Sequence, residues 1–277
     1  MGNAEELVRT TDVLTRLAVA GQTLRIDLTP LNAYLTHLGS APGRYARVTL
    51  GEGLERLAFG VREAAREPIA RAGSPYSELE VGGALREMVT AIGPGTLAQD
   101  LTVLAEAGVA AEAREQIAER VAALGGGRTD RVSRSFQTAS RWAIGVAFGG
   151  SVPEVMTTVN QLLPVATALG VQPMQRRLLE QAHQVLGAGT GFVVEFACDV
   201  DRALPEITIT YRDVAWKQAV GLYDALRPGA PCGPRLGAFA GAFNAEQASL
   251  YEITFRADAP AIVRVAIEVG ERELTGR

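Results

Sequence analysis

From Gly191 to Asp213 the chain reads GFVVEFACDVDRALPEITITYRD, and its apolar residues recur at every second position. Successive side chains of an extended strand point to opposite faces. Phe192, Val194, Phe196 and Cys198 therefore share one face, and Val193, Glu195, Ala197 and Asp199 the other. Beyond a turn, Ile207, Ile209 and Tyr211 oppose Glu206, Thr208, Thr210 and Arg212. Period-two alternation is the signature of a strand with one buried face. The segment predicts an antiparallel hairpin, buried on its apolar side. Its polar side looks either at solvent or into an enclosed space, and the function turns on which.

The same pattern recurs. RYARVTL (44–50) alternates Ala46, Val48 and Leu50 with Tyr45, Arg47 and Thr49. RSFQT (134–138) and RWAIGVAFG (141–149) predict a strand pair or one long strand, with Trp142, Ile144, Val146 and Phe148 opposite Arg141, Ala143, Gly145 and Ala147. ASLYEITFRAD and AIVRVAIEVG predict a last hairpin. Between these lie helices. SVPEVMTTVNQLLPVATALG opens with Ser151 and Glu154 in capping-box spacing, and Pro164 predicts a kink. MQRRLLEQAHQVLG and DVAWKQAVGLYDAL follow as helices, and 228–237 reads as a Pro/Gly-rich loop. The second half is thus ββ–αα–ββ–α–ββ.

Nearer the N-terminus, 4–20 has helical spacing, LRIDL (24–28) suggests a short strand, and LTPLNAYLTHLG (28–39) suggests a helix entered at Thr29 and Pro30. Residues 51–66 fit strand or helix equally. Residues 76–124 read as helical. Gly125–Gly127 marks a helix stop and flexible joint. The expected fold class is α+β: one domain over 1–277, an antiparallel curled sheet or barrel of ββ hairpins alternating with outer helices. A helical insertion is expected at about 70–124 and the joint at 125–127. Hairpins separated by helices place the helices on one side of the sheet, and sheets of this size curl or close.

Composition narrows the function classes. A net charge of −4 gives no global footprint for nucleic acid. Two cysteines without short spacing argue against a disulfide framework and fit a reducing cytoplasm. No apolar run spans a bilayer, and the N-terminal stretch has no apolar core of a signal peptide. With only His37 and His183, a His-rich metal site or a Ser-His-Asp triad is not expected. GAGTG (187–191) follows a helix and precedes a strand, the reverse of a dinucleotide loop. CDVD (198–201) reads as a turn rather than a magnesium site.

What is left is the polar strand face: Tyr45, Arg47, Arg141, Glu195, Thr208, Arg212, Glu252, Thr254, Arg256, Arg264 and Glu268. On an open sheet these are solvated cross-strand pairs. In a closed one they line a lumen, where clustered guanidiniums call for an anionic ligand such as a diphosphate, and Glu195 offers a base.

The segments GQTLRIDLTPLNAYL with RYARVTL, FVVEFACDVDRALPEITITYRDVAWKQAVGLYDAL, and LGAFAGAFNAEQASLYEITFRAD resemble the repeats of the ABBA (PT-barrel) prenyltransferases, nearest in layout to the cyanobactin-type peptide prenyltransferases. The resemblance implies a cytoplasmic enzyme of natural-product biosynthesis that moves an isoprenyl group from its diphosphate to an aromatic or peptide acceptor inside a barrel. It implies Arg47, Arg141, Arg212, Arg256 and Tyr45 as diphosphate- and substrate-binding residues and Glu195 as the catalytic base. It further implies magnesium accompanying the diphosphate, with no metal held by the protein itself. The polar faces depart from the family in having few Tyr and no Lys. Two other readings stand beside it. One is a non-catalytic binding or assembly protein with a solvent-facing polar sheet. The other is a different natural-product or peptide-modifying enzyme using the same cavity.

Overall fold

Alternation along each strand, repeated often enough, leaves one apolar face to cover and two sheet edges to satisfy. The chain resolves both by covering the sheet with helices and joining its edges. The computed structural model describes residues 15–29, 45–51, 54, 56–64, 69, 74–81, 85–125, 128–136, 140–149, 151–186, 191–226, 232–257 and 259–270. Within these, only the backbone is described at 45–46, 56, 58–64, 74–81, 85–92, 128, 136, 140 and 269–270. Ten strands form one closed antiparallel barrel. They are β1 (Tyr45–Gly51), β2 (Arg56–Ala64), β3 (Ser74–Val81), β4 (Leu85–Thr96), β5 (Arg128–Phe136), β6 (Ser140–Phe148), β7 (Phe192–Cys198), β8 (Glu206–Ala215), β9 (Gln247–Arg256) and β10 (Ile262–Gly270). Each pairs with its neighbour in sequence, and β1 pairs with β10 in the register Arg47↔Glu268, which closes the ring. Closure removes the free edges that would otherwise invite aggregation.

The helices that lie within the described residues are α1 (15–24), α2 (Leu97–Glu106), α3 (Ala111–Ala123), α4 (Val152–Ala168), α5 (Pro173–Leu186), α6 (Trp216–Leu226) and α7 (Gly233–Phe243). Helix pairs follow β4, β6 and β8, giving a recurring ββαα unit. Capping boxes start α2 at Thr96/Gln99 and α4 at Ser151/Glu154. The apolar strand faces pack against the helices: Val194, Phe196, Ile207, Ile209, Tyr251 and Phe255 join Ile117, Leu162, Leu179, Leu222 and Phe239 in one core. Two polar tethers cross that layer. His183 Nδ1 on α5 bonds the Tyr211 hydroxyl at 3.2 Å, and the Tyr251 hydroxyl donates to the Ala219 carbonyl on α6 at 3.2 Å.

Several expectations change. The helical insertion at 70–124 is half sheet: β3 and β4 occupy 74–81 and 85–96, and only 97–123 is helical. SPYSELEV and LREMVTAIGPGT contain Glu, Leu, Met and Arg, good helix formers that pairing with β2 and β5 overrides. LRIDL is not a strand. Helix α1 runs to Leu24 and stops where Arg25 adopts φ 56°, with the Ile26 amide donating to the Gly21 carbonyl. The ambiguous 51–66 contains β2. The loop at 228–237 gives way to α7 at Gly233, which ends at Asn244 in a left-handed conformation. Pro164 sits inside α4, which continues to Ala168. Residues 30–44 and Gly126–Gly127 of the expected joint lie outside the described residues; Gly125, at φ 77°, ends the turn after α3.

Candidate functional site in the barrel lumen

Because helices cover the Phe192/Tyr211 face, the opposite residues of each strand point into the barrel. The polar face is therefore enclosed. On β7 and β8 these are Val193, Glu195, Ala197 and Glu206, Thr208, Thr210, Arg212; on β6, Arg141, Ala143, Gly145 and Ala147; on β5, Arg131, Ser133 and Ser135. Opposite them stand Glu252, Thr254 and Arg256 on β9, Arg264 and Glu268 on β10, and Arg47 on β1.

The guanidiniums are not left bare. Arg47 pairs with Glu268 at 3.4 Å and Arg264 with Glu252 at 3.5 Å, each between directly opposed residues of neighbouring strands. The other two pairs skip a strand. Arg131 on β5 reaches Glu195 on β7 at 3.4 Å, passing over β6 at Gly145, which is in register with both. Arg141 on β6 reaches Glu206 on β8. Alternate strands lie roughly 10 Å apart, a span that a long side chain covers only where the intervening residue is small. At Gly145 an added Cβ would meet Glu195 Cγ at 3.1 Å, Val193 Cγ1 at 3.1 Å and Arg131 Nε at 3.4 Å. Two lumen hydroxyls, Thr208 and Thr254, bond each other at 3.0 Å.

Glu195 is the electrostatic centre. Burial pushes its carboxyl above the usual range. Arg131 pulls it back most strongly, Glu252 pushes it up, and Arg141 and Arg47 lower it. The carboxylate is in contact with Arg131 and feels the charges of Glu252, Arg141 and Arg47 across the lumen. Of the expected site residues, Glu195, Arg141 and Arg47 share the lumen face, where Arg141 pairs with Glu206 and Arg47 with Glu268. Arg212 and Arg256 share the lumen face but not this centre; Arg256 Nη2 donates to the Pro260 carbonyl at 3.2 Å. Tyr45 lies in β1 two positions before Arg47, and its side chain is outside the described residues. The sequence reading missed Arg131 because it began β5 at Arg134. The alternation of Arg131, Ser133 and Ser135 with Val132 and Arg134 was available to place it.

Among the described residues, no three His, Cys, Asp or Glu side chains assemble into a metal-holding group. The lumen glutamates Glu195, Glu206, Glu252 and Glu268 face arginines instead. Among the described residues no helix is long and apolar enough to cross a membrane. His183 plays no part in the lumen: it is buried behind Phe192, its ring 4.2 Å away edge-on, and burial holds its pKa down to about 4.

No family model matches the sequence, and no curated protein sequence matches it. Solved structures do match. The 5-dimethylallyltryptophan synthase from Streptomyces coelicolor superposes with a TM-score of 0.65 at 10% identity, covering 96% of this chain and 98% of that one. PriB in its ternary complex with L-tryptophan and dimethylallyl thiolodiphosphate matches with a TM-score of 0.59 at 13% identity, over 96% and 99%. PriB with product diphosphate matches with a TM-score of 0.58 at 14% identity, over 98% and 99%. These likenesses span nearly the whole of each chain and establish the fold: this is an ABBA-type, PT-barrel architecture.

Proposed function

We propose that this chain is a prenyltransferase-like enzyme that moves an isoprenyl group from its diphosphate to an aromatic or peptide acceptor in the barrel lumen. The observation that carries this is Glu195, largely enclosed on the lumen wall of a closed barrel, in contact with Arg131 and within the field of Arg141 and Arg47. The similar structures bind dimethylallyl analogues, tryptophan and product diphosphate, which supports the substrate class. In this reading the allylic C–O bond breaks and its electron pair leaves with the diphosphate. Arg141 and Arg47 stabilise that leaving group, with Arg212 and Arg256 as further cations of the wall and Tyr45 as an added contact. A guanidinium has five N–H donors, so one already in an ion pair can still donate to phosphate oxygens. The acceptor ring carbon forms the new bond to the allylic carbon, and Glu195 takes the ring proton. A raised pKa suits that step, since a stronger base drives the transfer while Arg131 favours the ionised form. Magnesium, if it accompanies the diphosphate, supplies charge neutralisation there. A cytoplasmic place in natural-product biosynthesis follows as part of the same proposal.

A second reading is favoured by one observation. Four ion pairs among the described lumen residues compensate arginine charge from within the barrel wall, as they would in a non-catalytic binding or assembly barrel. Incubation with dimethylallyl diphosphate and either tryptophan or a tryptophan-containing peptide, with and without magnesium, separates the two. The enzyme reading expects a prenylated product and a rise in melting temperature with millimolar pyrophosphate, since a ligand of the folded state stabilises it. It also expects loss of turnover by about 100-fold or more in Glu195→Gln. No product and no thermal shift would leave the binding barrel as the better account.

A further inference from the structure

Arg47, Arg131, Arg141 and Arg264 each meet a carboxylate in the lumen, but only one of these pairs is built around the proposed base. Arg131 leaves β5, crosses β6 where Gly145 has no side chain, and ends on the Glu195 carboxylate of β7 at 3.4 Å. The space above Gly145 is filled by the pair itself: Glu195 Cγ, Val193 Cγ1 and Arg131 Nε all lie within 3.4 Å of where a Cβ would stand. On either side β6 presents only Ala143 and Ala147 to the lumen. Glycine at 145 is therefore a condition of the pair rather than of the backbone turn, since Gly145 lies mid-strand and is not among the glycines of positive φ.

We propose that Arg131 is the positioning residue for Glu195, fixing its carboxylate over β6, and that Gly145 is the gap through which it does so. This rests on Glu195 being the working group of the lumen, but the contact itself stands independently of the reaction. The reasoning is electrostatic and steric together. Glu195 is faced by Arg131 from β5, Arg141 from β6, Glu252 from β9 and Arg47 from β1, while Thr208 opposes it from β8. Of the cations, Arg131 acts on it most strongly and is in contact with it. Arg141 and Arg47 are bonded instead to Glu206 and Glu268. Removing Arg131 leaves a largely enclosed carboxylate whose two other cations are already engaged, and a carboxylate in that position takes up a proton more readily.

The test is a carboxyl titration that needs no substrate. With 13C-labelled glutamate, the Glu195 resonance is assigned by its loss in Glu195→Gln, and its midpoint is followed by NMR from pH 3 upward. Arg131→Met is expected to raise the midpoint by about 1 pH unit or more. Arg131→Lys should recover part of the shift, because a point charge replaces the guanidinium fork. Gly145→Ala should raise it with Arg131 still present, because the added methyl parts the pair. If Arg131→Met fails to fold, Arg131→Lys and Gly145→Ala carry the decision. An unchanged Glu195 midpoint in a folded Arg131→Met, or in folded Gly145→Ala and Arg131→Lys together, overturns the proposal. Should prenyl transfer be detected, the acid limb of kcat should move to higher pH in Arg131→Met. Should none be detected, the titration still reads the Arg131–Glu195 coupling, so failure of the enzyme reading and failure of this inference are told apart.

Discussion

The two faces of the β6–β7–β8 wall are made from the same strands and held by different physics. Outward, Trp142, Ile144, Phe192, Val194, Phe196, Ile207, Ile209 and Tyr211 are buried under helices. Their contribution scales with volume and area removed from water, so any loss leaves a cavity. Inward, Arg141, Gly145, Glu195, Thr208 and Thr210 are arranged by partner and reach, with Gly145 where Arg131 must pass. The outer face holds the barrel together. The inner face is held by ion pairs and a hydroxyl bond between side chains. Variants on the outer face should therefore cost stability, and variants on the inner face should alter titration and binding first.

The largest break of that contrast is expected at Phe196, fully buried against the helical layer. Phe196→Ala should cost roughly 3–5 kcal/mol in denaturant unfolding; a cost under about 1 kcal/mol would mean the two faces are not distinguished by packing. The next effect is acid sensitivity of the outer layer. His183 is fully buried with its pKa held at about 4, against an ordinary 6.5. The unfolded chain binds that proton more tightly than the folded one. Stability from this group is thus whole above about pH 6.5 and is lost as pH falls from there toward 4, by an amount on the order of 3 kcal/mol. His183→Gln should flatten that part of the stability–pH curve measured by urea unfolding. Equal slopes in the two proteins would place the acid sensitivity elsewhere. The smallest effect is expected inside: Thr208→Val removes the hydroxyl bond to Thr254 and should cost no more than about 1.5 kcal/mol. A loss as large as that of Phe196→Ala would show the lumen wall to be as structural as its outer face.

The hairpins at 192–215 and 247–270 were legible because each alternates cleanly over seven to ten residues. The strands at 74–96 were not, because their apolar and polar residues fit helical spacing equally well and only the partners on β2 and β5 decide the matter. The site followed the same division. Glu195, Arg47 and Arg141 were readable as polar-face residues. Arg131 was lost with the start of its strand, and the pairing of Arg141 with Glu206 and of Arg47 with Glu268 was not readable from the alternation alone.

By itself the sequence determined which side chains share a face and where helices begin. Strand parity and capping are properties of a few adjacent residues, and no distant partner is needed to establish them. Only the tertiary structure decided that the polar face is an inside. That depends on β1 meeting β10, an encounter that sets Arg47 on Glu268 across 221 positions of chain. Which guanidinium meets which carboxylate was likewise decided by register and by the gap at Gly145, because an ion pair spanning a strand exists only where the strands are already in place and the residue between them is small.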